Sequence, residues 1–161
     1  RTFNLQDLQF FLTSLRNFYE SHGGLEGIFH THATGDSLQP AIHEFKKAFF
    51  EIEHPMRTTK HVSDPMKGSA AKRINMFLRW MIRKDPIGVD LGVWKSLPPS
   101  LLSCPLDVHT GRVARKLNLM KRKANDARAL QELDQNLRAF DPDDPVRYDF
   151  ALFGLGVFEG F

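Results

Sequence analysis

The chain of 161 residues is long enough for one domain with a sizeable hydrophobic core. Its 42% hydrophobic and 25% charged residues are ordinary for a globular protein, and no apolar run approaches the roughly 20 residues that a membrane helix needs. The single cysteine, Cys104, excludes an internal disulfide and a zinc or iron–sulfur site with four cysteine ligands.

The net charge of +3 hides a strong segregation of charge along the chain. Residues 72–123 contain 12 Lys and Arg against 3 Asp and Glu, whereas residues 1–71 contain 7 against 8 and residues 124–161 contain 3 against 8. Such a basic segment suggests a face that binds a polyanion. A solvated surface with no partner explains the charge equally well.

The hydrophobic periodicity predicts helices along nearly the whole chain, with no convincing strand alternation. Asn4 is a plausible N-cap for a first helix, which Gly23-Gly24 would end. Ser37 can cap a second helix, LQPAIHEFKKAFFEIE, because a serine side chain accepts hydrogen bonds from the first turn. The sequence therefore predicts an all-α protein.

The second half of the chain continues this helical pattern. A polar loop ending at Gly68 leads into a third predicted helix, SAAKRINMFLRWMIRK, whose arginines at 73, 79 and 83 lie largely off the apolar face. A proline-containing loop over residues 85–105, with a short helix at PSLLS, precedes helices predicted at about 107–118, 125–140 and 145–157, the second of these capped by Asn125 or Asp126. In the last of these, Gly154 and Gly156 are expected to permit close helix packing.

Three segments carry chemistry-bearing residues at an informative spacing. The segment MKGSAAKRINMFLRW places Lys72 four residues after Gly68, at a helix start. This arrangement resembles the helix-hairpin-helix of DNA repair glycosylases, in which a hairpin glycine lies four residues before a catalytic lysine. The segment PLDVHTGRVARKL, with Asp107-Val108-His109, resembles the catalytic-aspartate helix of the 8-oxoguanine branch, and RYDFALFGLG offers Asp149 and Phe153 at the spacing of its two base contacts.

From about residue 66 to 158 the chain therefore resembles an uncharacterised bacterial family related to helix-hairpin-helix DNA glycosylases, most like the 8-oxoguanine DNA glycosylase/AP lyase branch. The resemblance implies a helical domain in which residues 1–60 form an N-terminal helical portion and residues 61–161 carry the hairpin and the catalytic helix. Because such proteins usually have further N-terminal helices, we expect part of the domain to be missing here. The resemblance also implies a monomer in the bacterial cytoplasm, associated with the nucleoid, whose partner is double-stranded DNA containing a damaged base. No membrane, metal or cofactor is expected.

The resemblance assigns a role to each matching residue. Lys72 would attack C1′ of the damaged nucleotide, and Asp107 would take a proton from the amine and stabilise the cationic sugar. Asp149 would accept a hydrogen bond from the flipped base, Phe153 would stack on it, and His109 would contact a phosphate of the substrate. The DNA backbone would be held by Gly68, Ser69, Arg73, Arg112, Arg115 and Lys116.

Each of these residues also has a structural interpretation. Asp107 is a natural N-cap, and Lys72 has the pattern of a solvated helix cation, with Lys67 as a rival nucleophile. Asp149 suits the first turn of a helix, where the helix dipole favours a carboxylate. Phe153, within FALFGLG, has the pattern of a core residue.

Two features depart from the glycosylase pattern. The hairpin reads Gly68-Ser69-Ala70 instead of Gly, hydrophobic, Gly. The 35 residues from Lys72 to Asp107 exceed the usual bacterial and eukaryotic spacing and are closer to an archaeal 8-oxoguanine glycosylase type. A non-catalytic or structure-specific helix-hairpin-helix DNA-binding protein is therefore the alternative function. A helical protein whose basic face meets an acidic protein is a third hypothesis.

Overall fold

The computed structural model describes residues 2–161 and contains helices but no strand within that range. In chain order the helices are α1 (Leu5–Ser21), α2 (Gly24–Thr31), α3 (Gln39–Phe49), α4 (Lys72–Ile82), α5 (Val108–Lys116), α6 (Ala127–Phe140) and α7 (Asp149–Val157). Short 3₁₀ segments occur at Met56–His61, Pro65–Lys67, Pro99–Leu101 and Pro145–Tyr148. The prediction of an all-α protein is confirmed.

Capping side chains determine where several helices begin. The Asn4 side chain accepts a hydrogen bond from the Asp7 N–H, and the Asp7 carboxylate accepts one from the Asn4 N–H, each at 3.0 Å. Asp107 caps α5, and Asp126, one of the two predicted candidates, caps α6. These helix starts are the ones that the sequence predicted from capping residues.

Three helical segments differ from the prediction. The sequence did not predict α2, because Gly23-Gly24 was expected only to end α1; Gly23 instead has a φ of 68°, which lets the chain turn and begin a new helix at once. The predicted helix 145–157 is divided into a 3₁₀ segment and α7. In the predicted second helix, Ser37 accepts a hydrogen bond from the Gln39 N–H at 3.0 Å, but Leu38 is the residue that precedes α3, no side chain caps this helix, and it ends at Phe49.

The apolar side chains form two hydrophobic cores. The first gathers residues of α1 to α4, including Phe18, Ile42 and Leu78, and the second gathers residues of α5 to α7. Ala71 belongs to the first core and its neighbour Ala70 to the second. The chain between Pro65–Lys67 and α4 therefore lies where the two cores meet.

Buried ion pairs attach α4 to its surroundings. Arg79, which the sequence placed off the apolar face, is only 4% exposed; its Nε lies 3.0 Å from Asp90 Oδ1, and its Nη1 binds Asp149 on α7. Arg83 pairs with Asp90 at 2.8 Å and with Asp144 at 2.9 Å. Because a buried guanidinium is costly unless it is paired, these contacts hold α4 against the start of α7.

Helices α5 and α7 approach closely at Gly156. A Cβ added at Gly156 would lie 3.0 Å from the His109 Cβ and 3.0 Å from the His109 carbonyl oxygen. A Cβ added at Gly154 would meet nothing within 4 Å. The predicted role in close packing is therefore seen for Gly156 and not for Gly154.

We expect Gly156→Ala to lower the free energy of unfolding by about 1–3 kcal/mol, because the new methyl group would press on backbone atoms of α5. Gly154→Ala is the matched control. It should leave the free energy unchanged or raise it by up to about 1 kcal/mol, since alanine favours a helix over glycine. Urea denaturation measures both variants, and equal effects would contradict a contact specific to Gly156.

Candidate active site

Lys72 and Asp107 meet at the ends of two helices. Lys72 is the first residue of α4 and Asp107 is the N-cap of α5. The Lys72 Nζ lies 3.0 Å from the Asp107 Oδ2, although 35 residues separate them in the chain. The lysine side chain is 40% exposed and the aspartate side chain 11%. A proton can pass directly between two groups at this distance.

The two carboxylate oxygens of Asp107 have separate partners. Oδ1 accepts hydrogen bonds from the N–H groups of His109 and Thr110, each at 2.9 Å, and Oδ2 accepts one from Lys72. Burial raises the pKa of this carboxyl, but the hydrogen bonds from Thr110 and Lys72, with the charge of the ammonium, outweigh it and hold the pKa below 3.8. Asp107 therefore caps α5 and pairs with Lys72 at the same time.

The hairpin before α4 is a tight turn that leaves the N–H groups in the first turn of α4 without a cap. Gly68 has a φ of 86° and Ala71 a φ of 44°, both in the left-handed region. The Ser69 N–H donates to the Asp64 carbonyl at 3.2 Å, and the Ser69 Oγ accepts from the Ala71 N–H at 3.1 Å. No side chain caps α4. The first-turn N–H of Lys72 can therefore bind an anion.

The hairpin is also bonded to the start of α6. The Gly68 carbonyl accepts a hydrogen bond from the Ala127 N–H at 3.1 Å. The Asn125 Nδ2 donates to the Asp107 carbonyl at 2.8 Å. These bonds hold the hairpin and the N-termini of α5 and α6 together around Lys72.

A cleft of about 820 Å³ opens beside Lys72. This volume lies in the range of ligand pockets of proteins, which is roughly 300–1,000 Å³. Within residues 2–161, Lys60 and Arg73 on its walls have no ion-pair partner. The cleft is lined by Phe3, Phe11, Lys60, His61, Ser63, Ser69, Ala70, Ala71, Lys72, Arg73, Leu106 and Asn125.

Asp149 lies inside the buried ion pairs and does not line this cleft. Its Oδ2 binds Arg79, its Oδ1 lies 3.5 Å from the Cys104 Sγ, and the residue is 6% exposed. Burial raises the pKa of the Asp149 carboxyl, and the charge of Arg79 offsets part of this effect. Both of its oxygens are thus occupied within the protein.

Phe153 and His109 lie next to each other, also outside the cleft lining. Their rings meet edge to face with centroids 5.9 Å apart, and Phe153 is 39% exposed. The His109 Nδ1 is buried and has no hydrogen-bond partner within residues 2–161. The predicted contacts of these two residues and of Asp149 with substrate stay predictions.

Three of the predicted phosphate-binding cations have partners within the chain. Arg112 donates to the Gly156 carbonyl, and the Arg115 Nε donates to the Arg122 carbonyl at 2.8 Å. The Lys116 ammonium lies 5.0 Å from the centre of the Phe161 ring. Arg73 is exposed beside the cleft and is the predicted cation with the freest side chain.

The sequence prediction missed the contribution of the N-terminal half to this cleft. Phe3, Lys60 and His61 precede the motif segments, and no spacing along the chain relates them to Lys72. The 3₁₀ segment Met56–His61 and the start of α1 bring them there through tertiary packing. Local sequence carries no signal for such a placement.

Within residues 2–161, no helix is long and apolar enough to cross a membrane. The same part of the chain contains no group of three or more His, Cys, Asp and Glu side chains that could hold a metal ion.

Comparison with known proteins assigns the chain to a family. The family model described as "Protein of unknown function (DUF2400)" matches residues 1–158, so the chain belongs to this family. No curated protein matches the chain, and neither does any solved structure.

We expect Lys72→Met to raise the pKa of Asp107 toward 3.8, because the hydrogen bond and the charge of the ammonium are lost while burial remains. A ¹³C NMR titration of the Asp107 carboxyl measures this change. Lys67→Met, which removes an exposed cation of the hairpin, is the control and should leave the titration unchanged.

The same substitution should alter the pH dependence of stability. In the wild type the folded pKa of Asp107 lies below its unfolded value, so the carboxylate stabilises the fold above pH 3.8 and this contribution is lost as the pH falls through the folded pKa. Lys72→Met should therefore lose less stability than the wild type on acidification. An identical acid profile for both proteins would contradict the pairing.

Proposed function

We propose that this member of the DUF2400 family is a DNA glycosylase and AP lyase that removes an oxidised purine such as 8-oxoguanine. The contact between Lys72 Nζ and Asp107 Oδ2, at 3.0 Å beside the open cleft, is the observation that carries the proposal. The proposal includes the helix-hairpin-helix fold and double-stranded DNA with a damaged base as the partner of a monomeric protein. The site of action is the bacterial cytoplasm, at the nucleoid.

The chemistry begins with the transfer of a proton. In the resting protein the pKa of the Asp107 carboxyl is held below 3.8, so this group is ionised at neutral pH. DNA that covers the 40% exposed lysine side chain would remove water from the pair. Loss of water disfavours the charged forms of both groups and so favours a neutral amine beside a protonated carboxyl. Binding of the substrate thereby generates the nucleophile.

The neutral amine of Lys72 then attacks C1′ of the deoxyribose. The bond from C1′ to the base nitrogen breaks, and its electron pair leaves with the base. The base then takes the proton that Asp107 holds. The resulting carboxylate stabilises the positive charge that develops on the sugar. The new ammonium gives a proton to O4′ as the C1′–O4′ bond opens, which leaves a protonated Schiff base between C1′ and Lys72. The Asp107 carboxylate then takes a C2′ proton, the electron pair of that C–H bond forms a C2′–C3′ double bond, and the C3′–O bond breaks with departure of the 3′ phosphate.

The hairpin supports binding of the DNA backbone. The uncapped start of α4, which follows the left-handed turn at Gly68, presents backbone N–H groups that suit a phosphate oxygen. The net positive charge of residues 72–123 supplies attraction to the polyanion that does not depend on sequence. Arg73, exposed one residue after Lys72, can neutralise a phosphate next to the reacting sugar.

Borohydride trapping on a duplex that contains an abasic site tests the nucleophile. The wild type should form a covalent adduct, and Lys72→Gln should form none, because borohydride reduces only a Schiff base with the reacting amine. Lys67→Gln is the matched control, since Lys67 is an exposed lysine of the same hairpin, and it should be trapped like the wild type. Loss of the adduct in Lys67→Gln alone would move the nucleophile to that residue.

The variant Asp107→Asn separates the role of Asp107 as a helix cap from its role in proton transfer. Asparagine caps helices as well as aspartate does, so the variant should fold with an unchanged circular dichroism spectrum. Without a group that accepts a proton from Lys72, base release from an 8-oxoguanine duplex should slow by about 10²–10⁴-fold. A rate within twofold of the wild type would limit Asp107 to its role as a cap.

The same experiments address the alternative functions. A chain that forms no adduct but binds DNA with an affinity that falls steeply with salt is a non-catalytic DNA-binding protein. A chain that neither forms an adduct nor binds DNA would exclude both DNA functions and leave the hypothesis of a helical protein whose basic face meets an acidic protein.

A further inference from the structure

Part of the cleft beside Lys72 is lined by aromatic side chains from the N-terminal half of the chain. The Phe3 ring meets the His61 ring edge to face at 5.1 Å and the Phe11 ring at 5.2 Å. Phe3 nevertheless stays 45% exposed, so much of its surface is open to the cleft or to solvent. The ring therefore offers an aromatic face beside the cationic residues of the cleft.

Phe3 is held in place from both sides. The carbonyl of the preceding Thr2 accepts a hydrogen bond from Arg57 at 3.1 Å, and the following Asn4 is bonded to Asp7 as the N-cap of α1. The Asp7 carboxylate is fully buried and also binds Arg57 at 2.9 Å. The ring is thus attached to a fixed backbone, which lowers the entropy lost when a ligand stacks on it.

His61 lies between the cleft and the buried Asp7. Its Nε2 is buried and lies 3.4 Å from the Asp7 Oδ2, so this nitrogen faces the protein interior. The residue lines both the cleft and an adjoining apolar pocket of about 230 Å³, which shares Phe11 and Arg73 with the cleft. Apolar ring surface therefore lies next to the cationic wall of the cleft.

Asp149 and Phe153, which the resemblance assigned to contacts with the flipped base, lie in less favourable positions for such contacts. Asp149 is committed to Arg79 and Cys104, and neither Asp149 nor Phe153 lines the cleft that contains Lys72. A base displaced from a sugar bound at Lys72 would need another surface to receive it. The cleft offers that surface at Phe3 and His61.

We propose, building on the proposed function, that the flipped purine stacks on Phe3 beside His61, while Lys60 and Arg73 bind the flanking phosphates. Stacking on an aromatic face is one of the features that proteins use to hold an extruded base. Lys60 and Arg73 lack ion-pair partners within residues 2–161 and lie on the walls of the same cleft. The N-terminal half of the chain thus completes the nucleotide site that the hairpin begins.

Single-turnover base release from an 8-oxoguanine duplex, compared with trapping on an abasic duplex, tests this assignment. Phe3→Leu keeps apolar volume but loses the aromatic face, so it should slow base release by about tenfold. Trapping on the abasic duplex, which has no base to stack, should stay at the wild-type level. Phe3→Tyr, which restores an aromatic ring, should recover base release.

Phe140→Leu is the matched control. Phe140 is 60% exposed and meets the Tyr148 ring edge to face at 5.9 Å, so it resembles Phe3 in setting but lies outside the cleft lining. Its substitution should leave both reactions unchanged. Thermal melts of all variants separate loss of folding from loss of base contact.

The outcomes distinguish the inference from the function on which it rests. Equal slowing of both reactions by Phe3→Leu, or base release that depends on Phe153 but not on Phe3, would overturn the base site while leaving the Lys72 chemistry intact. Absence of abasic-site trapping by the wild type would overturn the proposed function itself. Trapping without release of 8-oxoguanine would overturn the oxidised purine as the occupant and the purine site with it.

Discussion

The buried guanidinium of Arg79 is the constraint on which the geometry of the site depends. Arg79 is only 4% exposed, so its charge must keep its carboxylate partners, and loss of one such partner typically costs about 3–5 kcal/mol. Arg79 lies seven residues, about two helical turns, after Lys72, so the pairs with Asp90 and Asp149 fix the axial position of α4 and therefore of the lysine. Asp149 begins α7, and α7 packs on α5 through Gly156 and His109. The chain of contacts thus returns to α5, whose N-cap holds the carboxylate that meets Lys72.

The cap and the catalytic interpretations of Asp107 are compatible because a carboxylate has two oxygens. One oxygen accepts the N–H groups of the first turn of α5, which fixes the side-chain rotamer, and the other is left for Lys72. A side chain fixed in this way loses little further freedom when it forms the ion pair, so the contact is preorganised. The free N–H groups at the start of α4 have no such cap and remain available to an anion. The N–H groups at the start of α5 are therefore bonded within the protein, whereas those at the start of α4 are open to a ligand.

The features that sequence predicts here are local, and those that it misses are tertiary. Asn4, Asp107 and Asp126 identify helix starts because a cap acts on residues two or three positions away. The motifs likewise placed Lys72 at the start of one predicted helix and Asp107 at the start of another. In contrast, Arg79 has the pattern of an exposed helix cation, and only the folded chain supplies Asp90 and Asp149 to bury it. Phe3 and Lys60 reach the cleft through packing of the N-terminal helices, which leaves no periodic signal near the motif.

The two hydrophobic cores explain why the hairpin has Ala70 where the glycosylase pattern has a glycine. The left-handed conformations of the hairpin fall on Gly68 and Ala71, so Ala70 needs no glycine; its methyl group is buried in the second core, and its carbonyl accepts a hydrogen bond from Asn75 at 2.9 Å. Ala71 takes a conformation that costs an L-residue roughly 1–2 kcal/mol. Glycine would relieve this strain but would remove the only side-chain atom that Ala71, 1% exposed, contributes to the first core. Alanine is the smallest residue that keeps the contact. The hairpin therefore accepts backbone strain next to Lys72 in order to join the two cores, and backbone strain held by surrounding packing is a recurrent feature of functional sites.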